Sequence, residues 1–136
     1  MHLPPAAAEA LNVAEIRCGT GAHCRLWSER GHQVYGADID AELVALARRR
    51  ASESGLTMLL DVASASALPW PDRSMDLCIA RGVLEHLPDW RAALAEWLRV
   101  LRPGGTLYIS TTTGWLTLRA QPATVLPACM SRTRSG

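Results

Sequence analysis

The stretch Glu15-Ile16-Arg17-Cys18-Gly19-Thr20-Gly21, answered by Asp38, constrains this chain more than any other. The apolar run Val13-Ala14-Glu15-Ile16 before the turn reads as a strand, and Ala22 to Arg30, closed by Gly31, reads as a short helix. A tight glycine turn between strand and helix leaves backbone N–H groups open at the helix start, where a polar ligand can approach. Glycine suits the turn because it accepts positive φ and has no Cβ to hold a ligand off. Gln33 to Asp38 then reads as a second strand ending in a carboxylate, an acceptor pair matched to the vicinal hydroxyls of a ribose. Strand, glycine turn, helix, strand and acid together imply a nucleoside-type ligand.

The pattern continues. Asp40 is a good N-cap, and Ala41 to Ser52 carries Leu43, Val44, Leu46 and Ala47 on one side. Gly55 ends that helix, and Thr57 to Val62 reads as a third strand. Ser64 to Ala67 is a loop or a single helical turn, and Asp76 to Ala80 is a fourth, buried strand. From Asp89 onward Trp90, Ala93, Leu94, Trp97, Leu98 and Leu101 form one helical stripe. Pro103-Gly104-Gly105 stops this helix, and Thr106 to Ser110 is the fifth strand. Strands alternating with helices imply an α/β fold with a parallel sheet and right-handed crossovers.

With these motifs in place the chain resembles the class I S-adenosylmethionine-dependent methyltransferases, most closely the small-molecule branch that includes the quinone-biosynthesis enzymes. That family's first motif runs acid-x-Gly-x-Gly-x-Gly; Glu15, Gly19 and Gly21 match it, and Arg17 stands where its first glycine would be. Leu68-Pro69-Trp70-Pro71-Asp72-Arg73-Ser74-Met75-Asp76, Gly82 to Asp89 and Leu101-Arg102-Pro103-Gly104-Gly105 resemble three further family signatures. The resemblance implies a Rossmann-like sheet of five strands, order 3-2-1-4-5, flanked by helices. It divides the chain into a short lead (1–12), a cofactor-binding core (13–110) and an irregular tail (111–136). The family's last two strands are expected to be missing, as though both ends were cut short.

The resemblance also implies site residues. Glu15, Gly19, Thr20 and Gly21 would lie beneath the methionine half of S-adenosyl-L-methionine, Asp38 would hold the ribose, and Ile39 would pack on the adenine. The family's Asp-Ala pair before Leu-Pro-Phe falls here on Ser64-Ala65, with Asp61 as the alternative if the loop bulges. Arg81 would meet a carboxylate of cofactor or substrate, or lie solvated at the rim. His86 is a candidate base, or else a packing or capping residue. Arg17 would crowd the cofactor, or swing out to pair with Glu15 or the cofactor's carboxylate.

Methyl transfer from a sulfonium to a small-molecule acceptor is the implied activity. A degenerate or inactive relative that binds cofactor weakly is the alternative. A nicotinamide dehydrogenase would need Gly-x-Gly-x-x-Gly, and taking Gly19 and Gly21 as its first glycines puts Cys24 at the third. A net charge of +1 gives no electrostatic case for nucleic acid or a membrane surface, and Arg48-Arg49-Arg50 reads as a solvated helix face. Cys18, Cys24, Cys78 and Cys129 lack metal-site spacing and suit reduced thiols, so a cytoplasmic protein without a metal is expected. An apolar fifth strand at an open sheet edge would favour self-association.

Overall fold

A computed structural model describes residues 9–120 together with the backbone of 129–133. Expectations that rest on Met1 to Pro5, on Pro122 and Pro127, or on the closing Arg134-Ser135-Gly136 lie outside the described residues.

Five strands form the parallel part of one sheet: β1 (Asn12–Ile16), β2 (Gln33–Asp38), β3 (Met58–Val62), β4 (Met75–Arg81) and β5 (Leu101–Thr111). Their order is β3-β2-β1-β4-β5, as the resemblance implied. Helices α1 (Ala22–Glu29), α2 (Ala41–Glu53) and α3 (Trp90–Val100) make the crossovers. The sheet runs outward in one direction through β2 and β3 and in the other through β4 and β5. Right-handed crossovers therefore place α1 and α2 on one face and α3 on the other.

Strand alternation builds a core on each face. Val13, Val34, Leu60 and Ile79 pack with Cys24 and Trp27 of α1 and with Val44 and Ala47 of α2. Ala14, Ile16, Cys78, Ala80, Leu107 and Ile109 pack with Ala93, Trp97 and Val100 of α3. By the same alternation Glu15 shares the α1 side with Val13, and so its carboxylate is buried.

The Leu68 to Asp76 motif is anchored on α3. The Leu68 amide donates to Glu96 (2.7 Å), and the Arg99 guanidinium holds both Asp72 (2.7 Å) and the Leu68 carbonyl (3.2 Å). Leu68 and Trp70 are thereby buried beneath that helix.

Helix α3 ends at Val100, before the Pro-Gly-Gly stretch, and β5 begins at Leu101. Met75 pairs with Leu101 and Leu77 with Thr106, so Arg102 to Gly105 is an excursion within one strand rather than the helix stop. Among the described residues of the tail, strands beyond the fifth are present, against the expectation that they would be missing. Strand β6 (Gly114–Arg119) pairs antiparallel with β5, and β7 (Cys129–Thr133) pairs antiparallel with β6. Leu118 opposes Leu107, Leu116 opposes Ile109, and Trp115 stacks on Tyr108 with ring centroids 5.8 Å apart. The β5 edge is covered, which removes the basis for self-association through it. No helix among the described residues is long and apolar enough to cross a membrane.

Candidate cofactor site

In an open parallel sheet, ligands sit beyond the carboxyl ends of the strands, where the strand order reverses. Here that point lies between β1 and β4. Ile16 pairs with Ala37 on one side and Ala80 on the other, so the residues after β1, β2 and β4 converge there.

The glycine turn adopts the strained geometry its sequence calls for. Gly19 has φ 57° and Gly21 φ 82°. A Cβ on Gly19 would meet nothing within 4 Å, whereas a Cβ on Gly21 would approach Ala47 Cβ at 3.3 Å. Gly21 caps α1 without a side-chain hydrogen bond, as expected of a helix start left open to a ligand. Arg17 shares the left-handed conformation at φ 59°. A side chain there costs about 1–2 kcal/mol.

Asp38 is buried, and both its oxygens are engaged by backbone. Oδ2 accepts from the Gly19 amide and Oδ1 from the Asp40 amide, each at 2.9 Å. Each oxygen keeps a lone pair for a further donor. Beside it Ile39 is 72% exposed, an apolar side chain with nothing upon it.

A cavity of about 270 Å³ opens here, lined by Arg17, Asp38, Ile39, Ser64, Ala65 and His86 together with four apolar residues. Those four, Ala37, Ala63, Val83 and Leu87, were not singled out from sequence. Their signal was position: they adjoin the carboxyl ends of β2, β3 and β4. Ser64 spends its hydroxyl oxygen on the Ser66 amide (3.1 Å), and Trp97 fixes the neighbouring Ala65 carbonyl (2.8 Å). Asp61 lies elsewhere, 3.9 Å from Arg48 along the wall of a second depression outside α2 and β3. His86 sits exposed on a 3-10 turn, Leu84–His86. Glu85 steadies this turn by accepting from Thr112 of the β5–β6 hairpin at 3.2 Å.

Glu15, Gly19, Thr20, Gly21 and Arg81 do not line this cavity; they belong to the adjoining turn and to the strands beneath it. Glu15 Oε2 accepts from Trp27 Nε1 (3.2 Å) and lies 3.5 Å from the Arg81 guanidinium. Burial pushes its carboxyl up to about 7, against the opposing pull of Arg81 and Trp27. Desolvation outweighs the ion pair here. Arg17 does not pair with Glu15. Its guanidinium crosses the switch point and donates to the Gly82 carbonyl at 3.1 Å.

A cavity offering a fixed carboxylate, an exposed apolar side chain and a cation suits a ligand that combines hydroxyls, a flat ring and an oxyanion.

Comparison with known proteins identifies the family. A family model described as a methyltransferase domain matches residues 14–109. The malonyl-[acyl-carrier protein] O-methyltransferase of Serratia marcescens is 39% identical over 99 residues, covering 73% of this chain and 37% of that protein. The demethylmenaquinone methyltransferase of Thermus thermophilus is 36% identical over 99 residues, covering 71% and 45%. The chain thus spans less than half the length of these curated relatives. Among solved structures, a SAM-dependent methyltransferase from Methanosarcina mazei superposes with a TM-score of 0.69 at 30% identity, covering 80% of this chain and 57% of that one. A [4+2]-cyclase superposes with a TM-score of 0.70 at 29% identity, covering 77% and 40%. With most of its length matched by the family model and its sheet and crevice arranged as described, this chain belongs to the class I S-adenosylmethionine-dependent methyltransferase family.

Proposed function

We propose that the chain binds S-adenosyl-L-methionine in the crevice at Asp38 and serves methyl transfer to a small-molecule acceptor. The observation that carries this reading is the Asp38 carboxylate, fixed by the Gly19 and Asp40 amides and left with acceptor capacity toward the cavity. The residues present fit the nucleoside half of that cofactor. Asp38 would accept from the ribose hydroxyls, exposed Ile39 would cover the ring, and Ser64 and Ala65 would border its edge. Ser64 is a weaker acceptor than the carboxylate the family places there, so the ring's amino group would be held less firmly.

The cofactor supplies an activated methyl group. What remains for the protein is to hold donor and acceptor in line and keep water out, which can lower the barrier substantially. A base is needed only where the acceptor must lose a proton, and His86, which lines the cavity, would serve in that role. The relatives are named for different acceptors, a malonyl-[acyl-carrier protein] and a demethylmenaquinone, so no single acceptor is proposed. One structural neighbour is named as a cyclase, which makes binding, rather than transfer, the first property to test.

The test is calorimetric titration with S-adenosylmethionine, S-adenosylhomocysteine and NAD. Saturable single-site binding of the first two, with none of the third, supports the reading. Absence of binding by either adenosyl compound would leave a family member that keeps the fold without the ligand.

A further inference from the structure

We propose that Arg17 is the carboxylate-recognition residue of this crevice, an inference that rests on the cofactor reading above. The residue leaves β1 in the left-handed conformation, where glycine would be unstrained. Strain retained at a ligand crevice points to a use for the side chain. That side chain spans the point where the strand order reverses, from the end of β1 to the Gly82 carbonyl after β4, and it lines the same cavity as Asp38.

Its electrostatic situation differs from that of its neighbour. Arg81 stands against buried Glu15 at 3.5 Å. Among the described residues the Arg17 guanidinium has no carboxylate within ion-pair range, and its hydrogen bond goes to a neutral carbonyl. That bond orients the exposed planar group while leaving further N–H donors open, which a carboxylate can engage in bidentate fashion. Asp38 is engaged by the Gly19 and Asp40 amides rather than by Arg17. The cavity therefore presents a fixed acceptor and a cation as separate features, which a ligand carrying both hydroxyls and a carboxylate can engage together. The carboxylate has two sources: the amino-acid end of the cofactor, or an acidic methyl acceptor.

The experiment compares S-adenosylhomocysteine with its decarboxylated analogue, 5′-deoxy-5′-(3-aminopropylthio)adenosine, by calorimetry on wild type, Arg17→Gln, Arg17→Lys and Arg17→Gly. Thermal melts check that each variant is folded. If the cofactor supplies the carboxylate, wild type prefers S-adenosylhomocysteine by about tenfold or more, on the order of 1.4 kcal/mol. Arg17→Gln then removes the preference without weakening the decarboxylated analogue, and Arg17→Lys keeps part of it. If the acceptor supplies it, both nucleosides bind wild type alike, and malonate titrated onto the S-adenosylhomocysteine complex binds wild type but not Arg17→Gln. Two results overturn the proposal while leaving the cofactor reading intact. One is a preference unchanged in Arg17→Gln. The other is equal tightening of both nucleosides in Arg17→Gly, which would mean that the side chain crowds the site. Failure of either nucleoside to bind any variant would overturn the cofactor reading itself, and this inference with it.

Discussion

The Gly19 amide donates to the Asp38 carboxylate at 2.9 Å, joining the turn after β1 to the end of β2. The acid is thus part of the turn it faces, and it organises the crevice before any ligand arrives. Asp38→Asn should be costly without a ligand. Its amide can accept one backbone N–H but must present an NH₂ to the other. Loss of one charged hydrogen bond with a buried mismatch destabilises by roughly 1–3 kcal/mol. Urea unfolding of the two proteins checks this, and equal midpoints would show that the two amide bonds contribute nothing measurable.

Glu15 gives a pH dependence of definite sign. Its carboxyl is raised to about 7 in the folded chain from an ordinary 4.5. Between those values the folded state holds a proton that the unfolded state has released, so stability falls as pH rises through this window. The loss at pH 8 relative to pH 4 is at most on the order of 3 kcal/mol. Glu15→Gln retains an acceptor for Trp27 and removes the titration. Its urea midpoint should therefore change less than that of wild type between pH 5 and pH 8. Parallel pH profiles for the two proteins would contradict the raised carboxyl.

Two glycines with positive φ separate backbone strain from contact. Gly21 (φ 82°) faces Ala47 at 3.3 Å from an added Cβ, whereas Gly31 (φ 90°) faces nothing within 4 Å. Gly31→Ala should carry the conformational cost alone, about 1–2 kcal/mol. Gly21→Ala should cost more, because α2 must also shift. Equal losses of thermal stability would mean that the α1–α2 contact yields freely.

Strand β5 is hydrogen-bonded on both sides, to β4 and to β6. The amides of Thr106 to Ser110 should therefore exchange slowly, whereas those of Thr112 and Thr113 at the hairpin tip, held only by exposed bonds to the Glu85 and Thr111 side chains, should exchange faster. Fast exchange along Thr106 to Ser110 would place β5 back at an open edge.

That hairpin shows where the sequence was legible and where it was misread. The five parallel strands were readable because each is a compact apolar run set off by Gly or a capping Asp, and their order followed from the family resemblance. Strand β6 carried its own signal: Leu116 and Leu118 alternate with Thr117 and Arg119, and Thr-Thr-Gly makes the turn. Pro122 and Pro127 drew the whole tail toward an irregular reading, although both lie beyond β6. At the candidate site, Asp38, Ile39, Ser64, Ala65 and His86 were named from spacing and resemblance, and one cavity brings them together. Ala37, Ala63, Val83 and Leu87 were not, because a small or apolar residue at a strand end carries no chemical mark. Spacing placed Arg17 at the crevice but could not show its reach to the Gly82 carbonyl, a contact between residues 65 apart in sequence.

The central claim is that the cofactor occupies the Asp38 cavity, and the most direct measurement is amide chemical-shift mapping during a titration with S-adenosylhomocysteine. The account predicts saturable changes concentrated at residues 17–21, 38–39, 63–65 and 82–87. The second depression, about 510 Å³ beside Arg48, Met58 and Asp61, should stay silent. Changes centred on that second depression, or no changes at saturating ligand, would contradict it.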